Sequence, residues 1–308
     1  FGESEQVFVQ NGKERIGKVY RKAVYREYTD AAFTTAKAVA PQWEHLGALG
    51  PVIRGEVGDR IKVVFKNMAS FPASIHPHGV LYTKNSEGAP YTDGTSGADK
   101  ADDAVPPGET HTYSWQVPER AGPGPMDGSS ILWMYHSHTD EPADTNSGLV
   151  GPLIITRKGS ANPDGSPKDI DREFVTLFTI FNENTSHYLK QNVTRFTGRP
   201  DRVMLRLKNP EFIESNLMHS VNGYVYGNLP GLTMKQGERV RWYMMSIGTE
   251  VDLHTPHWHG QTILLMGSRM DMVELLPGSM KTVDMAPDNP GIWLLHCHVN
   301  DHITAGMM

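Results

Sequence analysis

Eight of the fourteen histidines fall into four His-x-His pairs, and the pairs recur in matching surroundings in the two halves of the chain. In the first half His76-Pro77-His78-Gly79 is followed by Trp133-Met134-Tyr135-His136-Ser137-His138. In the second, His257-Trp258-His259-Gly260 is followed by Trp293-Leu294-Leu295-His296-Cys297-His298. A turn and an alternating strand precede each first pair: Gly58-Asp59-Arg60-Ile61-Lys62-Val63-Val64-Phe65 and Gly237-Glu238-Arg239-Val240-Arg241-Trp242-Tyr243. Motifs repeated in the same order mark a duplicated domain. Residues 157–168, rich in Gly, Pro, Asp, Asn and Ser, read as the linker, and residues 173–180 as the opening strand of the second half. We therefore expect domains at 1–160 and 161–308.

A chain of 308 residues suits two domains of about 150 residues each. With 30 Gly, 21 Pro and many short strand-like runs, each half reads as a Greek-key β-sandwich, so the fold class is all-β. Only residues 205–216 suggest a helical turn or two. The net charge of −6 and the lack of a basic stretch exclude a nucleic-acid binder. The longest apolar runs, such as residues 148–155, fall far short of the ~20 residues needed to cross a bilayer. No leader peptide is visible, which fits a mature N-terminus or a boundary in a longer chain. Met307 lies one residue from the end, so a final strand is expected beyond this stretch.

One cysteine excludes an internal disulfide and leaves Cys297 as an inert thiol, a reactive one or a ligand. Successive side chains of a strand point to opposite faces. In His296-Cys297-His298 both imidazoles therefore look one way and the thiol the other, so one strand can serve two metal sites. Cys297 has His302 five residues on, Met307 five further, and His254 upstream. Two imidazoles, a thiolate and a weak axial thioether make a blue-copper site. The eight paired histidines match the need of one copper with two imidazoles and two coppers with three each. Four coppers can supply the four electrons that reduce O2 to water.

Several segments carry a family resemblance: Glu211-Phe212-Ile213-Glu214-Ser215-Asn216, Asp252-Leu253-His254-Thr255, Gly291 through Val299, Tyr135 through His138, and Ser147 through Leu153. With them the chain resembles the multicopper oxidases, most of all the ceruloplasmin branch and the two-domain small laccases. That resemblance implies two cupredoxin-like domains. His76 and His257 would hold the type 2 copper, and His78, His136, His138, His259, His296 and His298 the type 3 pair. His254, Cys297, His302 and Met307 would hold the type 1 copper. By the same offsets the first half has Ala73, Ser137, Pro142 and Ser147 at the blue-site positions, so one blue copper per chain is expected.

The resemblance implies O2 as oxidant and a small reductant, read here as phenolic or aromatic, with Fe(II) as the alternative. A copper nitrite reductase or a non-catalytic copper carrier fits the histidine count less well. In relatives with more domains the cluster lies between the first and last domains of a ring. Three two-domain chains would rebuild that ring as a homotrimer, with each cluster shared between domain 1 of one chain and domain 2 of the next. Asp93 is expected to deliver protons and Tyr82 to lie beside the cluster. Glu214 and Asp301, with His219, are expected near the reductant. Lys84 through its carbonyl, Glu87, Asp99, Asp102 and Asp103 match a calcium site of relatives. A periplasmic or secreted location follows from the family.

Overall fold

The alternation of Ile61, Val63 and Phe65 with Lys62 and Val64 builds a strand whose first set faces an apolar core, while Val64 stays exposed. The computed structural model describes residues 9–10, 12, 15–198 and 203–308. Its strands are β1 (Ile53–Glu56), β2 (Arg60–Lys66), β3 (His76–Pro77), β4 (Thr110–Gln116), β5 (Ser130–His136) and β6 (Val150–Thr156) in the first half. The second half holds β7 (Arg172–Asn182), β8 (Leu217–Val221), β9 (Val240–Ser246), β10 (Pro256–Trp258), β11 (Ile263–Leu265), β12 (Ser268–Met270), β13 (Met280–Met285) and β14 (Leu295–Cys297). The chain is thus mainly β, with short helices in connections.

The duplication is visible in the pairing. β2 lies antiparallel to β4 as β9 lies antiparallel to β13, and β3 lies antiparallel to β5 as β10 does to β14. The sheets run β1-β6-β5-β3 and β2-β4 in the first half, and β12-β11-β13-β9-β7-β8 and β10-β14 in the second.

Each half has its own apolar core. Tyr113, Trp115, Leu153 and Ile155 anchor the first; Phe174, Trp242, Met244 and Ile263 anchor the second. A third cluster joins the halves, where Leu132, Met134, Val150 and Ile154 meet Val175, Leu177, Tyr243 and Met245. Strands β6 and β9 are consequently buried at every residue, because one face of each serves its own core and the other the shared cluster. Polar bonds fix this contact. The Arg241 guanidinium, 1% exposed, reaches Asp284, Asp169 and Ser130, and Tyr243 Oη bonds Ser130 Oγ at 2.6 Å.

Residues 157–168 form turns held by an Ala161–Pro167 bridge. Within residues 205–216 the expected helical turn is Pro210–Glu214, started by Pro210 and capped by the Asn209 side chain, which accepts from the amides of Glu211 and Phe212.

Candidate metal centres

β14 delivers Cys297 to a buried pocket where three donors converge. Cys297 Sγ lies 3.9 Å from His254 Nδ1 and 3.6 Å from His302 Nδ1, and those two nitrogens are 3.1 Å apart. His254 precedes β10, and His302 sits on the short helix Asn300–Thr304, whose closing turn leads to fully buried Met307. The backbone ties Met307 back to this strand, since Cys297 N donates to Met307 O. Burial pushes the thiol up, but hydrogen bonds from His254 and His302 outweigh it and bring Cys297 to about 6. Facing imidazole lone pairs beside a thiol near its thiolate form repel one another unless a proton or a cation sits among them. Soft sulfur with two imidazoles suits copper.

His254 has an outer partner that the sequence reading missed. Its Nε2 lies 3.3 Å from Asp252 Oδ1, and this carboxylate is 2% exposed and also accepts from Ile180 N at 2.7 Å. The signal was an acid two residues away, within reach of the imidazole from the turn that precedes it.

On the other face of β14, His296 stands across from His257 in register. His257 Nδ1 and His259 Nε2 lie 3.3 and 3.0 Å from His296 Nε2, and one ligand atom from each of the three residues falls within a 4.8 Å group. His298 completes the quartet, with five of the six ring pairs at centroid distances of 4.7–5.5 Å. The first half repeats the plan, with His76 across from His136. His78 Nε2 is 3.2 Å from His136 Nε2, and five of the six ring pairs among His76, His78, His136 and His138 have centroids 5.2–5.7 Å apart. Burial, then neighbouring imidazoles, depress His78 to about 4 and His136 to about 3. They are therefore neutral near pH 7, the form that binds metal. Backbone oxygens hold the far ring nitrogens of His76, His136 and His296, at Glu87 O (2.6 Å), Ser137 O (3.1 Å) and Cys297 O (2.8 Å).

The motif glycines have a physical reason. Gly79 and Gly260 have φ of 78° and 65°, and a Cβ at either would meet Trp133 at 2.2 Å or Trp293 at 3.1 Å. The Trp of each Trp-x-x-His-x-His thus lies over the glycine that ends each first pair.

Among the described residues no histidine ring of one quartet contacts a ring of the other. His259 and His298 are exposed, and beside them Ile292 and Trp293 are exposed apolar side chains.

Of the other expected residues, Tyr82 packs edge-on against His76, with centroids 5.8 Å apart. Asp93 instead pairs with Lys84 and Lys100, each at 3.0 Å. Bonds from Thr95, then these lysines, hold its carboxyl far below the usual range. The calcium set is arranged around the same ammonium groups: Lys84 Nζ is 2.6 Å from Glu87, and Lys100 Nζ is 3.1 Å from Asp103. Asp99 belongs to the short turn Gly97–Lys100, and no three of these carboxylates converge within 4.8 Å. Asp102 is fully buried; its Oδ2 accepts from Gly88 N at 2.7 Å and its Oδ1 has no hydrogen-bond partner.

Glu214 and His219 line a small pocket, about 20 Å³, with Leu217, Met218, Val225, Ala305 and Val9. The His219 ring lies 5.2 Å from that of His302, and exposed Asp301 precedes His302 on its helix. A groove of about 1640 Å³ lies between residues 22–47 and strands β1 and β2 and includes none of the paired histidines.

Fold and donor sets together define a chain of cupredoxin-like domains whose clustered imidazoles and thiol suit copper. Two multicopper oxidase domain families match the chain, one over residues 45–160 and the other over 176–308. Hephaestin from Mus musculus is 48% identical over 304 residues, covering 98% of this chain and 25% of that protein. Ferroxidase HEPHL1 from Homo sapiens is 46% identical, with 98% and 26% covered, and human ceruloplasmin 44%, with 99% and 28% covered. Among solved structures a multicopper oxidase superposes with a TM-score of 0.57 at 20% identity, over 84% of this chain and 76% of that one. The blue copper oxidase from Nitrosomonas europaea superposes with a TM-score of 0.57 at 22% identity, over 83% and 72%. The chain belongs to the multicopper oxidase family. It spans about a quarter of the length of the curated relatives it matches.

Proposed function

We propose that this chain is a ferroxidase-type multicopper oxidase, taking electrons from Fe(II) beside His302 and reducing O2 to water at histidine-bound copper. The observation that carries the choice of reductant is the size and lining of the pocket at Glu214 and His219. At about 20 Å³ it admits one water or an ion, not an aromatic ring. A carboxylate beside an imidazole suits Fe(II), and His302 is only 6% exposed, which leaves little edge for a phenol to touch. The naming of one relative as a ferroxidase agrees with this and weighs against the phenolic reductant expected from the sequence.

His254, Cys297, His302 and Met307 would hold the type 1 copper. His76 and His257 would hold the type 2 ion, and the remaining six paired histidines the type 3 pair. Bound copper would supply one-electron acceptance and the stored electrons for O2 reduction. The protein's own part is to keep imidazoles neutral and convergent, and to join the sites through His296-Cys297-His298. The two quartets make no ring contact with each other among the described residues, which would suit a cluster built between the first half of one chain and the second half of another, as in a closed homotrimer. The exposed Ile292 and Trp293 beside His259 and His298 suit such an interface.

Tyr82 is the group best placed to exchange an electron or proton near His76. Asp93, held as a carboxylate, would order donors rather than store a proton. Calcium has less support than copper: the unpartnered Asp102 Oδ1 invites a cation, but one would have to displace Lys100 from Asp103. Among the described residues no helix is long and apolar enough to cross a membrane. A secreted or periplasmic setting agrees with the family.

The test is oxygen uptake by the copper-loaded protein with Fe(II) and with a methoxyphenol side by side. Faster uptake with Fe(II) is expected; faster uptake with the phenol would return the protein to the laccase reading.

A further inference from the structure

By sequence offset, Ser137 occupies in the first half the position that Cys297 holds in the second, and Ser147 the position of Met307. The structure shows what fills the space of the absent blue site. Ser137 Oγ donates to Asp144 Oδ2 at 2.6 Å, and the other oxygen of that carboxylate lies 2.8 Å from His187 Nε2. Ser147 Oγ accepts from His187 N at 3.0 Å and lies 3.1 Å from Ser186 Oγ. Ser137, Asp144 and Ser147 are all fully buried, and the His187 ring stacks on Phe71 with centroids 3.7 Å apart. His187 follows β7 and so belongs to the second half, whereas the other members belong to the first.

The network reaches the histidine pair directly. Ser137 lies between His136 and His138, and its Oγ also accepts from Ser74 N at 3.0 Å. Ser74 Oγ in turn accepts from His138 N at 3.0 Å and donates to Gly88 O at 2.6 Å. The backbone on both sides of Ser137 is thereby fixed from the face opposite to the imidazoles. The arrangement is not a nucleophile with its base, since Ser137 and His187 both bond the carboxylate instead of each other.

We propose that the Ser137–Asp144–His187 network replaces the missing blue copper as the anchor of the first-half strand, and that these three are positioning residues for the copper ligands His136 and His138. The inference rests on the copper assignment above. Copper held by Cys297 would lock its strand in the second half, and in the first a carboxylate bridging a hydroxyl and an imidazole does so without metal. Carrying His187 on the second half also ties the first quartet to the domain that bears the blue site.

The experiment compares copper content, the blue absorbance of the thiolate site and the near-ultraviolet band of a coupled copper pair. The proteins are wild type, Asp144→Ala and His187→Phe, all titrated with copper. His187→Phe keeps the stack on Phe71 and removes only the bond to Asp144. Wild type with about four coppers per chain and both bands supports the copper assignment, and its failure there would sink that assignment before the variants are read. Given that result, His187→Phe is expected to retain the blue band while cluster copper binds on the order of 10-fold to 100-fold more weakly, the usual effect of losing an outer partner of a ligand. Wild-type cluster affinity and an unchanged near-ultraviolet band in His187→Phe would overturn the proposal. Should Asp144→Ala fail to fold, shown by loss of the blue band as well, His187→Phe decides alone.

Discussion

His76 stands directly across from His136 in an antiparallel pair, and His257 stands in the same way across from His296. Each half therefore presets two imidazoles opposite each other by strand register, with no metal needed to place them. A slip of one residue would turn both side chains to the wrong face. The glycine after each first pair guards this register, because the motif tryptophan lies on it. Gly79→Ala would force Trp133 to move and strain a residue at φ 78°. A loss of about 1–3 kcal/mol is expected, with cluster copper reduced and the blue band retained. Thermal unfolding and copper analysis check this; an unchanged melting temperature would contradict it.

Cys297 is the one soft anionic ligand available, and its thiol is already drawn to about 6 by His254 and His302. In Cys297→Ser the blue band should vanish and copper should fall from about four to about three per chain. Oxidase turnover should drop to background while the histidine-bound copper stays. Persisting blue colour would place the type 1 site elsewhere.

If Fe(II) is held at the small pocket beside His219, removal of its carboxylate should act on substrate binding. Glu214→Ala is expected to raise KM for Fe(II) on the order of tenfold, the equivalent of about 1.4 kcal/mol, with little change in turnover of a phenol. Equal losses with both reductants would argue for damage to the His302 region instead.

Much of the convergence of these donors was legible because covalent spacing alone sets strand parity. The eight paired histidines, Cys297 and His302 need only alternation and a turn to be read, and the duplicated Trp and Gly positions identify matching strands. The face-to-face packing of the halves was not legible. Residues such as Leu132, Met134 and Met245 look like ordinary core, and nothing local says that β6 and β9 are covered on both faces. Partners distant in sequence were also hidden. His187, which stands alone in the sequence with no paired histidine beside it, meets Asp144 across 43 positions. The lysines around Asp93 were missed because a list of acidic residues ignores the ammonium groups that the fold folds back among them.

His45 provides a pH test separate from the metal sites. It is fully buried between Trp43 and Phe174, its Nε2 accepts from Val175 N at 3.0 Å, and burial lowers it to about 4. The folded state thus binds fewer protons than the unfolded one between about pH 4 and pH 6.5. This contribution to stability is fully present above the ordinary histidine range and is lost as pH falls toward the folded value, by about 3 kcal/mol at most. His45→Gln keeps an acceptor for Val175 N but cannot titrate. Metal-free His45→Gln should lose less stability than wild type between pH 7 and pH 5 in urea unfolding, and equal losses would remove His45 from the acid response.

The separation of the quartets makes the assembly testable by complementation. A chain with His76→Ala and His78→Ala keeps an intact second quartet, and one with His257→Ala and His259→Ala keeps an intact first. Neither variant alone can build a cluster, whether the cluster forms within a chain or between chains. If clusters form between chains, a trimer reassembled from a mixture of the two contains junctions where both intact quartets meet. Activity should then appear in the mixture, and with random assembly about a quarter of junctions are intact. If each cluster were instead formed within one chain, every chain in the mixture would still carry a defect, and the mixture would stay inactive at any ratio. The measurement is O2 uptake after co-refolding the two variants, with the blue band of each confirming that its second half has folded. An inactive mixture with both blue bands present would rule out the shared cluster.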